Sequence, residues 1–508
     1  MVSQGVLPFK FAAEERRGGM TALGGLPLYL DLANVAGVSK SIGKHLSIRE
    51  GGQGWTDAQI VTSLILLNLA GGDCVDDLRI LNSDEGFAQV LRRVEWHGLP
   101  RTERRKLEAR WRKTRTRSFP SPSAIFRYLE KFHDPLQEKL RVPGKALIPK
   151  PNAHLLALPL VNKDLIGFAQ QHNPQETATL DQDATLVETS KADSLFSYKH
   201  FSAYQPLNTW WAEQGMTLHT EFRDGNVPAG FEQLRVFKEA LALLPEGVKK
   251  VRLRSDTAGY QHELMKYCSS GANERFGKID FAIGADVSRE FRKAVEETAA
   301  SEWKPIYRKV GDMRVKTEQE WAEVCFVPYP IAHAKSMPDV RYLAIREPLK
   351  QRELPGMEEQ QDLPFPTMDF GGEGYKVFGL ATNVDWDGEA VIHWYRERCG
   401  KSEEAHSVMK EDLAGGQLPS GDFGENAAWW WIMQLAHNLN AIMKNLVLPE
   451  SWITKRLKAV RFALIHLPGR VQERSRQFRI WISGQHPSFP LLFEARRRIA
   501  ELSLAPPG

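Results

Sequence analysis

The sequence predicts an α/β protein: a mixed-sheet core interrupted by a β-rich insertion, with a helical N-terminal region and a basic C-terminal region. Three observations predict it. Apolar residues recur at helical spacing through residues 1–150. From Glu176 the period changes to runs rich in Thr, Val and Leu that alternate with helices. Between 303 and 386 that alternation gives way to successive strand-like runs. A chain of 508 residues, 42% hydrophobic and 26% charged, suits roughly two to four domains with a sizeable core.

In chain order, Leu26–Ala36 and Asp57–Ala70 read as helices, the second capped by Thr56. A basic tract follows over 101–117, carrying Arg104, Arg105, Lys106, Arg110, Arg112, Lys113, Arg115 and Arg117. Such a tract neutralises phosphates and releases counterions, which favours DNA or RNA without reading its sequence. A solvated charged helix is the plainer alternative. Next, Phe119–Phe132 contains a helix that begins near Ser123, similar to the second helix of a helix-turn-helix. Pro143–Pro151 reads as a linker. Residues 1–150 are therefore expected to form a helical, basic DNA-binding region.

Strands are expected at 177–189, 216–223, 248–256 and 279–284, with helices at 230–244, 260–268 and 288–299. These make 175–302 the first part of the core. In the insertion, 303–386, strands are expected at 324–328, 341–346 and 375–382, with a Pro-, Glu- and Gln-rich loop over 348–374. The second part of the core, 387–450, opens on a helical stretch, Glu389–Leu413, and ends in a long apolar helix with Trp429, Trp430 and Trp431. Consecutive helical positions point about 100° apart, so at most one or two of these rings can face one partner. They are core, or one stacks on a displaced base. Residues 451–508 are basic.

The four cysteines are scattered without a Cys-x-x-Cys pair, which suggests neither a disulfide framework nor a cysteine zinc site, and suits a reducing compartment. The N-terminus lacks the pattern of a signal peptide, and Ile60–Ala70 is too short and polar to span a bilayer. A soluble, cytoplasmic protein without a membrane partner is expected. Neither a Gly-x-x-x-x-Gly-Lys-Ser loop nor a Gly-x-Gly-x-x-Gly motif occurs, so no nucleotide cofactor is expected.

The acids carry the chemistry. Asp181 and Asp183 are two apart on a strand and share a face. Asp256 ends another strand, where ligand sites of open α/β sheets cluster. Glu403 lies on the Glu389–Leu413 stretch with Lys410 two helical turns on, about 10.5 Å along the axis. Two strand acids and a helical Glu are the parts of a two-metal phosphodiester site, with ions about 3.5–4 Å apart. Oxygen ligands suit Mg2+ or Mn2+. Each acid also has a plainer reading: Asp256 as a helix cap, Asp181 or Asp183 in a turn or paired with an arginine. His393, His406 and His437 read as structural.

Asp-Gln-Asp-Ala-Thr at 181–185, Arg-Ser-Asp at 254–256 and Tyr-x-x-Arg…Glu-x-x-x-x-x-x-Lys at 395–410 resemble the boxes of bacterial insertion-sequence DDE transposases. The similarity is to the group with a Tyr-Arg-Glu-Lys box and a β insertion before the Glu, and covers roughly 175–450. It implies an RNase-H-like core in which Asp183, Asp256 and Glu403 bind two divalent ions, with Asp181 the alternative first acid. Tyr395, Arg398 and Lys410 would contact DNA. It also implies cut-and-paste chemistry: hydrolysis at the element's inverted-repeat ends, then attack of the freed 3′-hydroxyl on target double-stranded DNA. Two protomers would pair two ends, with a hairpin step at end cleavage, in association with the bacterial nucleoid. One departure concerns the third box. The family has three residues between Arg and Glu; here there are four, including Cys399 and Gly400. A break or bulge near Gly400 is expected, or Arg398 does not hold the family position. The rival readings are a structure-selective nuclease and a domesticated, non-catalytic DNA-binding protein. A glycosidase would leave the basic tracts unexplained.

Overall fold

A computed structural model describes residues 18–111, 115–142, 144–191, 194–328, 340–349, 365–474 and 477–504, with the backbone alone of 2–4, 10–12 and Ser402. The chain divides into two compact units. One comprises Met1–Lys131, Asp412–Ala414 and Ile442–Pro507; the other comprises Phe132–Glu411 and Gly415–Ala441. The expected boundaries at 150 and 451 differ from these.

In the first unit the helix Asp57–Ala70 starts on a complete capping box between Thr56 and Gln59. The last carbonyls of a helix lack intrahelical donors. Here the buried Arg461 donates to the carbonyls of Leu69 at 2.8 Å and Asn68 at 2.6 Å, and also to that of Asp412. The short strand Met20–Thr21 pairs with Gly469–Arg474. A side chain and a strand from the tail thus complete N-terminal elements, which is why the two ends of the sequence share a unit. The helix expected near Ser123 is Pro122–Leu129, because Ser121 caps it by accepting from the Ala124 N–H.

The second unit is built on a ten-stranded sheet. Its strands in chain order are β1 (Thr177–Ala184), β2 (Leu207–Trp211), β3 (Met216–Glu221), β4 (Lys250–Ser255), β5 (Asp280–Ala285), β6 (Lys304–Val310), β7 (Met313–Glu323), β8 (Arg341–Pro348), β9 (Thr367–Phe370) and β10 (Glu373–Thr382). The spatial order is β6-β7-β8-β10-β5-β4-β1-β2-β3, with β9 on β10. β4 is parallel to both β1 and β5; the other pairs are antiparallel.

The strands of 303–386 are therefore continuous with the core sheet, since β10 pairs with β5 from Ala282↔Thr382 to Ala285↔Gly379. No strand occupies 324–328; the strand there is β7, just before it. β7 carries its charges along one face, at Arg314, Lys316, Glu318 and Glu320, but the opposite face, Met313, Val315, Thr317, Gln319 and Trp321, is only partly apolar, so the alternation by which strands are read is weak. Gly311, with φ +60°, turns the β6–β7 hairpin.

Three helical segments complete the site region: α1 (Gly388–Arg396), α2 (Lys401–Ser407) and α3 (Phe423–Ile442). Asp387 caps α1 by accepting from the Glu389 N–H. Val391, Ile392 and Trp394 of α1 share a hydrophobic cluster with Ile306, Trp321, Leu343, Ile345 and Leu380. Strands β6 to β8 and β10 thus hold the helix that carries Tyr395. In α3, Trp429, Trp430 and Trp431 are 1%, 0% and 5% exposed. The helix is buried on successive faces, so none of the three rings is open for a base to stack on.

Candidate active site

In the parallel pair β1–β4, Asp181 lies opposite Arg254 and Gln182 opposite Ser255. One further residue along that register sets Asp183 beside Asp256, at the carboxyl ends of adjacent strands. Side chains two apart share a face, so an opposite-charge pair lies behind a like-charge pair.

The two strand acids meet different partners. Asp181 is 2% exposed, and the Arg254 guanidinium grips both of its oxygens, at 2.6 and 2.9 Å. This is the arginine pairing foreseen as one alternative. Asp183 is more open and meets Arg398 Nη2 at 3.3 Å. Burial pushes its carboxyl up to about 7; Arg398 opposes that shift and the negative charge of Asp256 adds to it. Asp256 also caps the short turn Thr257–Gly259, accepting from the Ala258 N–H at 3.0 Å. Capping and proximity to Asp183 coexist there.

Tyr395 joins this pair. A Cβ placed on Gly284 of β5 would come within 3.1 Å of the Tyr395 hydroxyl and 3.3 Å of the Asp256 carbonyl carbon. The glycine leaves room for that approach. Arg398 is buried beside Asp183, and its guanidinium also faces the Tyr395 ring.

Glu403 stands apart. Gly400 has φ +80° and ψ −37° and separates α1 from α2, so the expected break is present. The exposed Glu403 carboxylate accepts the Gly400 N–H at 3.0 Å and caps its own helix. Among the described residues no three His, Cys, Asp or Glu side chains converge to hold a metal ion. The expected meeting of Asp183, Asp256 and Glu403 is thus not found in this conformation. The spacing Gly400–Glu403 is that of an N-cap and its third residue, a signal legible in the sequence.

Lys410 lies in the π-helical turn Val408–Asp412, half-buried, and donates to the Leu186 carbonyl at 3.3 Å, just past β1. Burial lowers its pKa. His406 is also brought here. Its Nε2 lies 3.2 Å from Asn208 Nδ2, and Asn208 is the cross-strand partner of Asp183. Burial, then Lys410 and Arg398, lower the imidazole to about 4. Behind Asn208, Thr220 lies at 2.6 Å, and the Trp430 indole nitrogen lies 2.9 Å from Thr220.

The basic tract belongs to the other unit and is split in role. On the helix Arg101–Ala109, Arg104, Arg105 and Lys106 are exposed, Arg104 while donating to the Leu99 carbonyl at 2.9 Å, and Arg117 beyond the helix is exposed as well. Arg110 and Arg115, expected on DNA, are engaged within the protein. Arg110 donates to the Gly54 carbonyl at 2.8 Å. Arg115 pairs with the mostly buried Glu95 at 2.6 Å and lies over the rings of Trp55 and Trp111. Arg112 and Lys113 lie outside the described residues.

The sequence matches the family described as Transposase DDE domain group 1 over residues 10–504. Among solved structures it is similar to a chain in the cryo-EM structure of the piggyBac transposase synaptic complex with hairpin DNA. That similarity has 12% identity, covers 88% of this chain and 81% of the other, and has a TM-score of 0.40. No curated protein matches it. The family match spans nearly the whole chain, which therefore belongs to the DDE transposases of group 1.

Proposed function

We propose that this protein is a cut-and-paste transposase that cleaves DNA at the ends of a mobile element and joins those ends to target double-stranded DNA. The observation that carries the reading is the pairing of Asp183 and Asp256 at the ends of adjacent parallel strands. The order β3-β2-β1-β4-β5, with only β1, β4 and β5 parallel, supports an RNase-H-like core.

Two carboxylates forced together in a partly buried site fit a divalent cation, which would relieve both the desolvation and the mutual repulsion that raise Asp183. Hard oxygen donors favour Mg2+ or Mn2+. Bound there, such an ion supplies Lewis-acid activation of water and of the phosphodiester. Asp183 and Asp256 would hold it. Glu403 would join them only after leaving the Gly400 N–H. Arg398 compensates the charge of Asp183 and would contact a phosphate of the bound DNA. Tyr395 offers a hydroxyl beside Asp256, and Lys410 a half-buried ammonium beyond β1. Arg104, Arg105, Lys106 and Arg117 offer phosphate contacts, and two protomers would pair two ends.

The test is incubation of the purified protein with element-end DNA and Mg2+, scoring cleavage and strand-transfer products separately. Asp183→Asn, Asp256→Asn and Glu403→Gln are each expected to abolish cleavage while end binding stays within about threefold. Cleavage by any one variant at the wild-type rate removes that acid from the site. Cleavage without joining identifies a nuclease instead.

A further inference from the structure

The Arg254–Asp181 pair lies immediately behind the two site acids and is tied into the fold by more than an ion pair needs. Arg254 is 1% exposed. Its Nε and Nη2 hold Asp181. Its Nη1 donates to the Trp394 carbonyl at 2.7 Å and to the Glu397 carboxylate at 3.1 Å. Its guanidinium carbon also lies 5.7 Å from the centroid of the Trp394 ring. One side chain thus joins β1, β4 and the last turn of α1. Tyr395 and Arg398 follow these two partners, Trp394 and Glu397, by one residue each.

We propose that Arg254 is a positioning residue, fixing the C-terminal end of α1 so that Tyr395 and Arg398 face Asp183 and Asp256. The clamp rests on the geometry alone; the consequence for catalysis rests on the transposase reading. Two arguments favour positioning over bulk stability. A buried ion pair contributes little net stability compared with apolar packing of the same volume. The hydrogen bonds also require a planar fork with donors in several directions, which a lysine ammonium cannot reproduce. Arg252, two residues earlier on the same face of β4, lies over Trp386 and Trp394. This face of β4 is lined in sequence by Arg252, Arg254 and Asp256, so a shift of α1 along it would carry Tyr395 away from Asp256.

The experiment compares Arg254→Lys and Glu397→Gln with the wild-type full chain by amide hydrogen exchange and by single-turnover cleavage of end DNA. Glu397 is exposed at its side chain, so its variant keeps the fold even if Arg254→Lys does not. Exchange at amides 395–400 is expected to rise about tenfold in Arg254→Lys and a few-fold in Glu397→Gln, with the β6–β7 hairpin unchanged. The cleavage rate should fall on the order of a hundredfold in Arg254→Lys, with end affinity within about threefold. Unchanged exchange at 395–400 in the folded variants overturns the proposal. So does a rise spread evenly over the chain, which marks a residue of general stability. Wild-type protein that cleaves no DNA overturns the transposase reading, and exchange at 395–400 still decides the clamp.

Discussion

Asp181 and Asp183 share a strand, a face and a residue type, and they are in opposite electrostatic situations. Arg254 meets Asp181 with a complete fork, whereas Asp183 has one approach from Arg398 and a second acid at its side. The pH dependence follows. The Asp183 carboxyl, pushed up to about 7, binds its proton more tightly folded than unfolded. Between roughly pH 4 and 7 the folded chain holds more protons, so this group's contribution to stability falls as pH rises through that window. Asp183→Asn removes that cost and gives up the attraction to Arg398. Without divalent ions, thermal melts should show the variant gaining about 1–3 kcal/mol relative to wild type at pH 8 and little at pH 5. An equal gain at both values would contradict the shift. The shared face of the two acids was legible in the period of the strand. Which acid takes the arginine was not, because that pairing joins residues 73 apart in sequence.

At the level of elements, the break between α1 and α2 was legible because an extra residue and a glycine coincide there. That Glu403 would turn back to cap α2 was equally open to view in its spacing from Gly400. The same carboxylate also completes the acidic box, and one side chain cannot fill both roles in one conformation. Gly400 adopts a backbone conformation that L-residues rarely take, and a Cβ there would meet nothing within 4 Å. Gly400→Ala therefore tests backbone strain without a steric clash. It should cost about 1–3 kcal/mol, read as a lower urea midpoint. An unchanged midpoint would mean the joint relaxes into another conformation. The β6–β7 hairpin was less legible, because much of it is exposed and the uncharged face of β7 includes Thr317 and Gln319 beside its apolar residues. The tryptophan helix left its partner open for the converse reason: periodicity cannot tell a one-sided helix from one enclosed by the chain around it.

For the whole molecule, sequence order was a poor guide to what shares a unit. Arg461 caps the carbonyl of Leu69, 392 residues earlier, and no local pattern announces such an interaction. Density of positive charge likewise did not reveal which cations remain available. Replacing Arg104, Arg105 and Lys106 together with Gln should lower the slope of log affinity for DNA against log salt by about 0.9 for each phosphate no longer neutralised. Arg115→Gln should leave that slope unchanged and instead lower the melting temperature, because it strands the Glu95 carboxylate. Salt titrations of DNA binding, set beside thermal melts, separate the two kinds of arginine.

The polar chain behind Asp183 has a direction. The Trp430 indole can only donate, so Thr220 receives its hydrogen and passes its own to the Asn208 oxygen. The Asn208 amide group then points a hydrogen at His406 Nε2. Every hydrogen in the chain faces the same way, and the last acceptor must offer a lone pair. His406 is thereby confined to the neutral tautomer with its proton on Nδ1. A ring buried in α3 thus dictates the protonation of an imidazole beside Arg398 and Lys410, keeping a third positive charge out of their neighbourhood.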